Sequence, residues 1–283
     1  MDKATILNNG LPMPMVGVGT FQVTDGSEAE QVVRWALEIG YRSVDTAKIY
    51  GNEESVGRGI KSSGLPREQI FITTKLWNVD QGYDTTLRAI DESLQKLGLD
   101  YVDLYLIHWP IATRLSLAKP TDGNKREETW KAMEEIYKLG KAKAIGVSNY
   151  TLKHLGEMEH YASVPPMVNQ VEFHPFLYQK DLLDYCMGHK IVLEAYRPLG
   201  NGEKLDNPII TEIAEGRGKT AAQVMLRWAI QHGCPVIPKS VHRERLEENF
   251  DVLSFDLSSE EMRQLDSLNQ NLRTNHDPHQ WVQ

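Results

Sequence analysis

The sequence predicts one α/β domain over residues 1–283, a parallel (β/α)8 barrel with a short N-terminal β-hairpin. Three observations lead there. The chain has 283 residues, 41% hydrophobic and 25% charged, enough for one large core, and no Gly/Ser linker, low-complexity tract or abrupt charge shift divides it. Eight short β-prone runs alternate with stretches of helical periodicity. The residue just past nearly every run is polar, as expected where barrel strands open into an active site.

In chain order, Ala4–Met13 reads as the hairpin, because Asn9-Gly10 supplies the positive backbone angles of a tight turn. The eight runs are Met15–Gly19, Arg42–Val44, Ile70–Thr74, Val102–Ile107, Ala144–Val147, Met167–Asn169, Ile191–Glu194 and Pro235–Ile237. Between the first two, Val32, Val33, Trp35, Ala36, Leu37 and Ile39 repeat with helical spacing, as do Leu87, Ile90, Leu94 and Leu97 after the third. Gly40, Gly98 and Gly140 mark helix ends, and Ser148-Asn149 leads into a helix at Thr151–Glu159. Trp35, Trp130 and Trp228 fall in helical patterns and are assigned to the core, whereas Trp281 either folds over a pocket or hangs free. Strands this short suit a sheet buried on both faces. A doubly wound open sheet shares the periodicity and stays as the alternative.

Composition excludes several functions. With 39 acidic and 31 basic residues the formal charge is −8, which offers no overall field to hold nucleic acid or an anionic membrane. No apolar run approaches the ~18 residues of a membrane span, and Met1–Thr5 opens no signal peptide. The expectation is a cytoplasmic monomer acting on small molecules. Cys186 and Cys234 cannot build a disulfide framework or a four-ligand metal site, and both sit beside apolar residues, so they read as reduced packing residues.

The polar residues past the runs are Asp45, Lys75, His108, Ser148 with Asn149, Gln170, Tyr196, and Lys239 with Ser240. Singly, each is a solvated loop residue more often than a catalyst. Seven successive occurrences imply one pocket. A nucleophilic hydrolase is disfavoured, because the chain has no Gly-x-Ser-x-Gly elbow and neither cysteine ends a run. No metal site is expected, since there is no His-x-His or His-Glu-x-x-His pattern. Tyr50, five residues beyond Asp45, is the remaining hydroxyl. A phenol with a pKa of about 10 is a poor acid at neutral pH, but a neighbouring ammonium eases its proton donation. Lys75 is the candidate ammonium, Asp45 its holder, and neutral His108 the donor that orients a substrate oxygen. The set suits protonation of a carbonyl oxygen as hydride arrives at carbon.

Asp45-Thr46-Ala47, Tyr50-Gly51-Asn52-Glu53, Thr74-Lys75-Leu76-Trp77, Leu106–Pro110, Gly146–Tyr150, Asn169–Glu172 and Ile237–Ser240 through Asn249 together resemble the aldo-keto reductase family, from Gly17 to Arg273. The resemblance implies NADPH in extended form, with Asp45, Tyr50, Lys75 and His108 as a catalytic tetrad and Tyr50 as acid. It implies that Ser148, Asn149 and Gln170 bond the nicotinamide carboxamide and that Tyr196 stacks on the ring. Leu199 joins the cofactor set, while Lys239, Ser240, Arg245, Glu248 and Asn249 form the 2′-phosphate and adenosine site. That placement is physically sound, since a helix start and fixed cations suit a phosphate. Arg243, Glu244 and Glu247 read instead as a solvated helix face. Gly17-Val18-Gly19 lacks the third glycine of the Rossmann fingerprint, so no Rossmann unit is read there. Phe21, Trp77 and Trp109 line the expected substrate mouth.

Two features depart from the family pattern. Arg197 stands where a small residue, often serine, is usual beside the pyrophosphate, placed either to grip phosphate or to crowd it. The loops Asn201–Asp206 and Ile111–Glu128 are short, as in similar bacterial reductases of diketogluconate and methylglyoxal. The expected activity is NADPH-dependent reduction of aldehydes and small ketones or dicarbonyls. A cofactor-binding regulatory relative with little turnover is the alternative, and a Schiff-base lyase using Lys75 is disfavoured by its acidic partner.

Overall fold

The computed structural model describes residues 3–112 and 123–281. It opens with an antiparallel pair, β1 (Ala4–Ile6) and β2 (Pro12–Pro14). Seven parallel strands then follow in sequential order: β3 (Val18–Gly19), β4 (Ser43–Asp45), β5 (Phe71–Leu76), β6 (Val102–Ile107), β7 (Ala142–Ser148), β8 (Val168–Glu172) and β9 (Val192–Tyr196).

The eighth run closes the barrel without forming a strand of its own. Val236 bridges Val16 on one side and Ala195 on the other. On the first side Val236 N donates to Met15 O at 3.0 Å and Gly17 N to Val236 O at 2.9 Å. On the second, Ala195 N donates to Pro235 O at 2.8 Å and Ile237 N to Ala195 O at 3.2 Å. Pro235 and Pro238 bring no N–H groups, so the ladder ends after one bridge. Two glycines at β3, Gly17 just before it and Gly19 at its end, pack tightly against their neighbours. A Cβ on Gly19 would lie 2.8 Å from Ile237 O, and one on Gly17 would lie 2.9 Å from Ser43 Oγ. The missing side chains make room for the Ile237 carbonyl at Gly19 and for the Ser43 side chain at Gly17.

The described residues form ten α-helices: α1 (Ser27–Ile39), α2 (Glu53–Ser62), α3 (Tyr83–Leu97), α4 (Gly123–Lys138), α5 (Leu152–Met158), α6 (Lys180–Gly188), α7 (Pro208–Arg217), α8 (Ala221–Gln231), α9 (Arg243–Phe250) and α10 (Ser259–Asp266). The predicted stops hold where geometry demands them. Gly98 takes a left-handed conformation and returns its N–H to Leu94 and Gln95 carbonyls. The helix expected at Thr151–Glu159 begins instead at Leu152, with Thr151 as its cap through a reciprocal pair with His154. Trp130 and Trp228 are wholly buried, and Trp35 packs against the core from its rim.

Two details of the reading change. The hairpin turn is a three-residue loop, Asn8–Gly10, in which Gly10 but not Asn9 has positive φ; Leu7 N reaches Leu11 O at 2.9 Å across it. Asn8 and Asn9 instead send their amides to Pro166 O and Lys143 O, which seats the hairpin over the N-terminal end of the barrel. Secondly, β5, β8 and β9 run on through Lys75, Gln170 and Tyr196. Lys75 and Gln170 do not end their strands, and β9 reaches two residues past the predicted run to end at Tyr196, because a barrel has an interior for polar side chains to face. Most of the short loop expected at Ile111–Glu128 lies outside the described residues, as does the placement of the Trp281 ring.

Candidate active site

Three adjacent strands bring the central cluster together. Asp45 ends β4, Lys75 lies in β5 and His108 follows β6, while Tyr50 comes from the turn after Asp45. The Lys75 side chain is wholly buried and that of Asp45 is 3% exposed. Lys75 Nζ has three N–H bonds, and three acceptors surround it: Asp45 Oδ1 at 2.6 Å, Thr46 O at 2.9 Å and Tyr50 Oη at 3.3 Å. Because Tyr50 Oη accepts from Lys75, its own hydrogen is left to point into the cavity.

The electrostatics follow from burial and partners. Burial works against the Lys75 ammonium, but Asp45 and Tyr50 more than offset it and hold its pKa above the ordinary value. Burial raises the Tyr50 phenol, and Lys75 opposes that rise without cancelling it. The sequence reading anticipated the pull of Lys75 but not the larger effect of burial. Tyr50 therefore carries its proton at neutral pH. Burial, reinforced by Lys75, holds His108 well below the ordinary histidine value. It is neutral, and its buried Nδ1 meets no partner among the described residues.

A cavity of about 690 Å³ opens over Asp45, Tyr50 and His108 and reaches Arg245 and Asn249 at its far end. Lys75 lies beneath its floor. Phe21, Trp77 and Trp109 line its mouth, and Leu199 its wall. The Trp77 and His108 rings meet edge to face at 5.3 Å, and Trp109 faces His276 at 6.2 Å. Gln81 fixes this wall by donating to Trp109 O and Ile111 O at 2.8 and 2.7 Å.

Next to the cluster, Ser148, Asn149, Gln170 and Tyr196 line the cavity together, but much of their hydrogen bonding is spent on the protein. Ser148 Oγ donates to Gln170 O at 2.7 Å. Asn149 Nδ2 donates to His108 O at 3.0 Å and to Ser148 Oγ at 3.1 Å, while Tyr196 Oη donates to Asn149 Oδ1 at 2.7 Å. Asn149 adopts positive φ, 63°, a conformation asparagine tolerates. Gln170 Nε2 gives both hydrogens inward, to Asp45 Oδ2 at 2.8 Å and Glu194 Oε2 at 2.7 Å. Its carbonyl oxygen is thus the polar group it presents to the cavity.

The far end is built for an anion. Lys239 and Arg245 line the cavity and make no salt bridge among the described residues. Arg243, on the same helix as Arg245, is spent on Glu38 at 3.0 Å and Glu247 at 3.1 Å, the solvated face expected from sequence. Ser240 Oγ accepts from His242 N at 3.0 Å, and Glu248 Oε1 accepts from Thr220 Oγ1 at 2.7 Å. Two uncommitted cations at a helix start, with an amide-rich opposite end, fit the phosphate and nicotinamide ends of an extended dinucleotide.

Arg197 takes an option the sequence did not show. It has positive φ, 45°, and its Nη1 donates to Thr274 O and, at 3.1 Å, to Thr274 Oγ1. Its guanidinium carbon lies 6.0 Å from the centre of the Phe21 ring. The residue lines the cavity and ties the loop after β9 to the C-terminal segment.

That segment was missed from sequence, as were Glu172 and Glu194. Thr274 donates to Glu172 Oε1 through N at 2.7 Å and Oγ1 at 2.6 Å, and Asn275 N reaches Oε2 at 3.1 Å. Burial pushes the Glu172 carboxyl up, but the bonds from His174 and Thr274 outweigh it and keep the carboxylate ionised. Asn275 Nδ2 donates to Tyr196 Oη at 3.2 Å. The available signal was a carboxylate inside an apolar β run, two residues from Gln170 or Tyr196 and so on the same face.

A (β/α)8 barrel with an ammonium, carboxylate, phenol and neutral imidazole beside a long cavity defines a dinucleotide-dependent oxidoreductase class, and comparison with known proteins agrees. The model of the Aldo/keto reductase family matches residues 15–270. Glyoxal reductase of Bacillus subtilis is 52% identical over 272 residues, covering 96% of this chain and 95% of the relative. The 9,11-endoperoxide prostaglandin H2 reductase of Trypanosoma cruzi is 48% identical over 276 residues, covering 96% and 93%. Among solved structures, an aldo-keto reductase from a Medee basin deep-sea metagenome superposes with TM-score 0.90 at 46% identity, covering 96% of this chain and 97% of the other. A Bombyx mori aldo-keto reductase in complex with NADP gives TM-score 0.90 at 37% identity, covering 96% and 94%. The chain belongs to the aldo/keto reductase family. It is an oxidoreductase that reduces carbonyl groups of small molecules, with NADPH as cofactor.

Proposed function

We propose that this enzyme reduces small aldehydes, ketones and α-dicarbonyls to alcohols, with Tyr50 as the proton donor. The observation that carries this reading is the Lys75 ammonium, held 2.6 Å from Asp45 and 3.3 Å from Tyr50 at the floor of the cavity. NADPH, when bound, supplies the hydride. Lys75 donates to the phenol oxygen and stabilises the negative charge that grows there as the proton leaves. Asp45 keeps Lys75 charged and in place. His108, neutral, donates from Nε2 to the substrate oxygen and aims it at Tyr50 Oη. Phe21, Trp77 and Trp109 exclude water and accept the apolar part of the substrate.

Gln170 and the ring face of Tyr196 hold the nicotinamide end, and Lys239, Arg245, Ser240 and Asn249 the phosphate end. A dicarbonyl substrate accords with 52% identity to a glyoxal reductase. Among the described residues no helix is long and apolar enough to cross a membrane. A cytoplasmic location accords with two unpaired buried cysteines, and a small-molecule substrate rather than nucleic acid accords with a net charge of −8.

The test is NADPH oxidation followed spectrophotometrically against a panel of aldehydes, ketones and dicarbonyls, with Tyr50→Phe alongside. The variant should lose well over tenfold in kcat, more than ~1.4 kcal/mol in the barrier, with little change in NADPH affinity. Retention of more than about a tenth of kcat removes Tyr50 from the role of acid.

A further inference from the structure

Glu194 lies on β9, two residues before Tyr196 and on the same inward face, one layer deeper in the barrel. It is 1% exposed and makes no salt bridge among the described residues. Its hydrogen-bond partner is neutral: Oε2 accepts from Gln170 Nε2 at 2.7 Å, and the other hydrogen of that same nitrogen goes to Asp45 Oδ2 at 2.8 Å. One amide therefore spans two buried carboxyl groups, and this double donation decides which end of Gln170 faces the cavity.

We propose that Glu194 is a positioning residue with two effects: with Asp45 it locks the Gln170 carbonyl oxygen toward the cavity, and its ionisation biases the site toward the oxidised, positively charged nicotinamide. The inference rests on the reading of this end of the cavity as the nicotinamide site. A carboxyl group that stays protonated adds nothing to the balance between Asp45 and Lys75. Once ionised, it places an unpaired negative charge beneath the ring pocket, where a cationic ring is favoured over a neutral one.

The groups that face Glu194 from the packed strands are Asp45 on β4, Lys75 on β5 and the uncharged Gln170 on β8. Burial first, then the Asp45 charge, pushes the Glu194 carboxyl up to about 8, against the bond from Gln170 and the attraction of Lys75. Lys75 and Tyr50 are held above their ordinary values and His108 well below its own. Between neutral pH and pH ~9 the layer thus changes charge mainly at Glu194.

The test is fluorescence titration of wild type, Glu194→Gln and Glu194→Leu with NADP+ and with NADPH from pH ~6 to pH ~9.5. The ratio of the two dissociation constants is the quantity read, because the titration of the shared 2′-phosphate, with a pKa of about 6, cancels in it. In wild type, NADP+ should gain on NADPH by roughly three- to tenfold across pH ~8, the size expected of one charge acting through protein interior. Glu194→Gln keeps an acceptor for Gln170 and removes the charge, so its ratio should stay flat. Glu194→Leu removes both and should also weaken each cofactor. A second measurement needs no cofactor: infrared difference spectra of the free enzyme should show a protonated-carboxyl band lost as pH rises, absent from Glu194→Gln. Parallel pH profiles of the ratio in wild type and Glu194→Gln, with both cofactors still bound, overturn the proposal alone. Failure of wild type to bind either cofactor overturns it together with the site assignment.

Discussion

Replacing Lys75 by Met removes the ammonium from a pair whose side chains are 0% and 3% exposed, and the cost can be worked from its surroundings. Three hydrogen bonds disappear, to Asp45, Thr46 and Tyr50. The larger consequence is a buried Asp45 carboxylate with no opposite charge, a loss measured in other proteins at about 3–5 kcal/mol. Asp45 keeps the Gln170 bond at 2.8 Å, which places the expected loss near the lower end, about 3 kcal/mol. That is a large fraction of a stability of about 5–15 kcal/mol. Asp45→Asn should cost a similar amount, because it strands the ammonium. The double variant should lose clearly less than the sum, since it leaves neither charge unpaired. Urea unfolding of all four proteins, extrapolated to water, gives the cycle. Lys75→Met should in addition lower kcat severely. Additive losses in the cycle, or a loss under about 1 kcal/mol in Lys75→Met, would refute the argument that the pair is a buried, mutually dependent unit.

Arg245→Ala should weaken NADPH by roughly ten- to a hundredfold, about 1.5–3 kcal/mol, and leave NADH nearly unchanged; equal losses in fluorescence titrations with the two cofactors would remove Arg245 from the 2′-phosphate site. Arg197→Ser should release the loop after β9 from Thr274, seen as faster amide exchange around Thr274 and Asn275, and should weaken NADPH and NADH by similar factors. A loss confined to NADPH would move the 2′-phosphate contact to Arg197.

Most of the architecture was legible from local pattern. Strand and helix periods and the glycines after α1 and α3 are determined within a few residues, so a linear reading reaches them. The same holds for Asp45, Tyr50, Lys75 and His108, because a parallel barrel brings the carboxyl ends of successive strands to one rim, and residues distant in sequence meet there once the strands are recognised. The limits of β5 and β8 were less legible, since polarity marks a strand end only when the side chain has no interior to face. What the tertiary structure decided was partnership. Arg197, a candidate grip for phosphate by its position, bonds Thr274, 77 residues away. Glu172 holds the C-terminal segment across 102 residues, and Glu194 shares one amide with Asp45, which lies 125 residues from that amide in sequence. Periodicity reports which face of an element is buried. It carries no information on which distant group arrives to satisfy a buried charge, and in this barrel that choice sets the orientation of Gln170 and the seat of the tail.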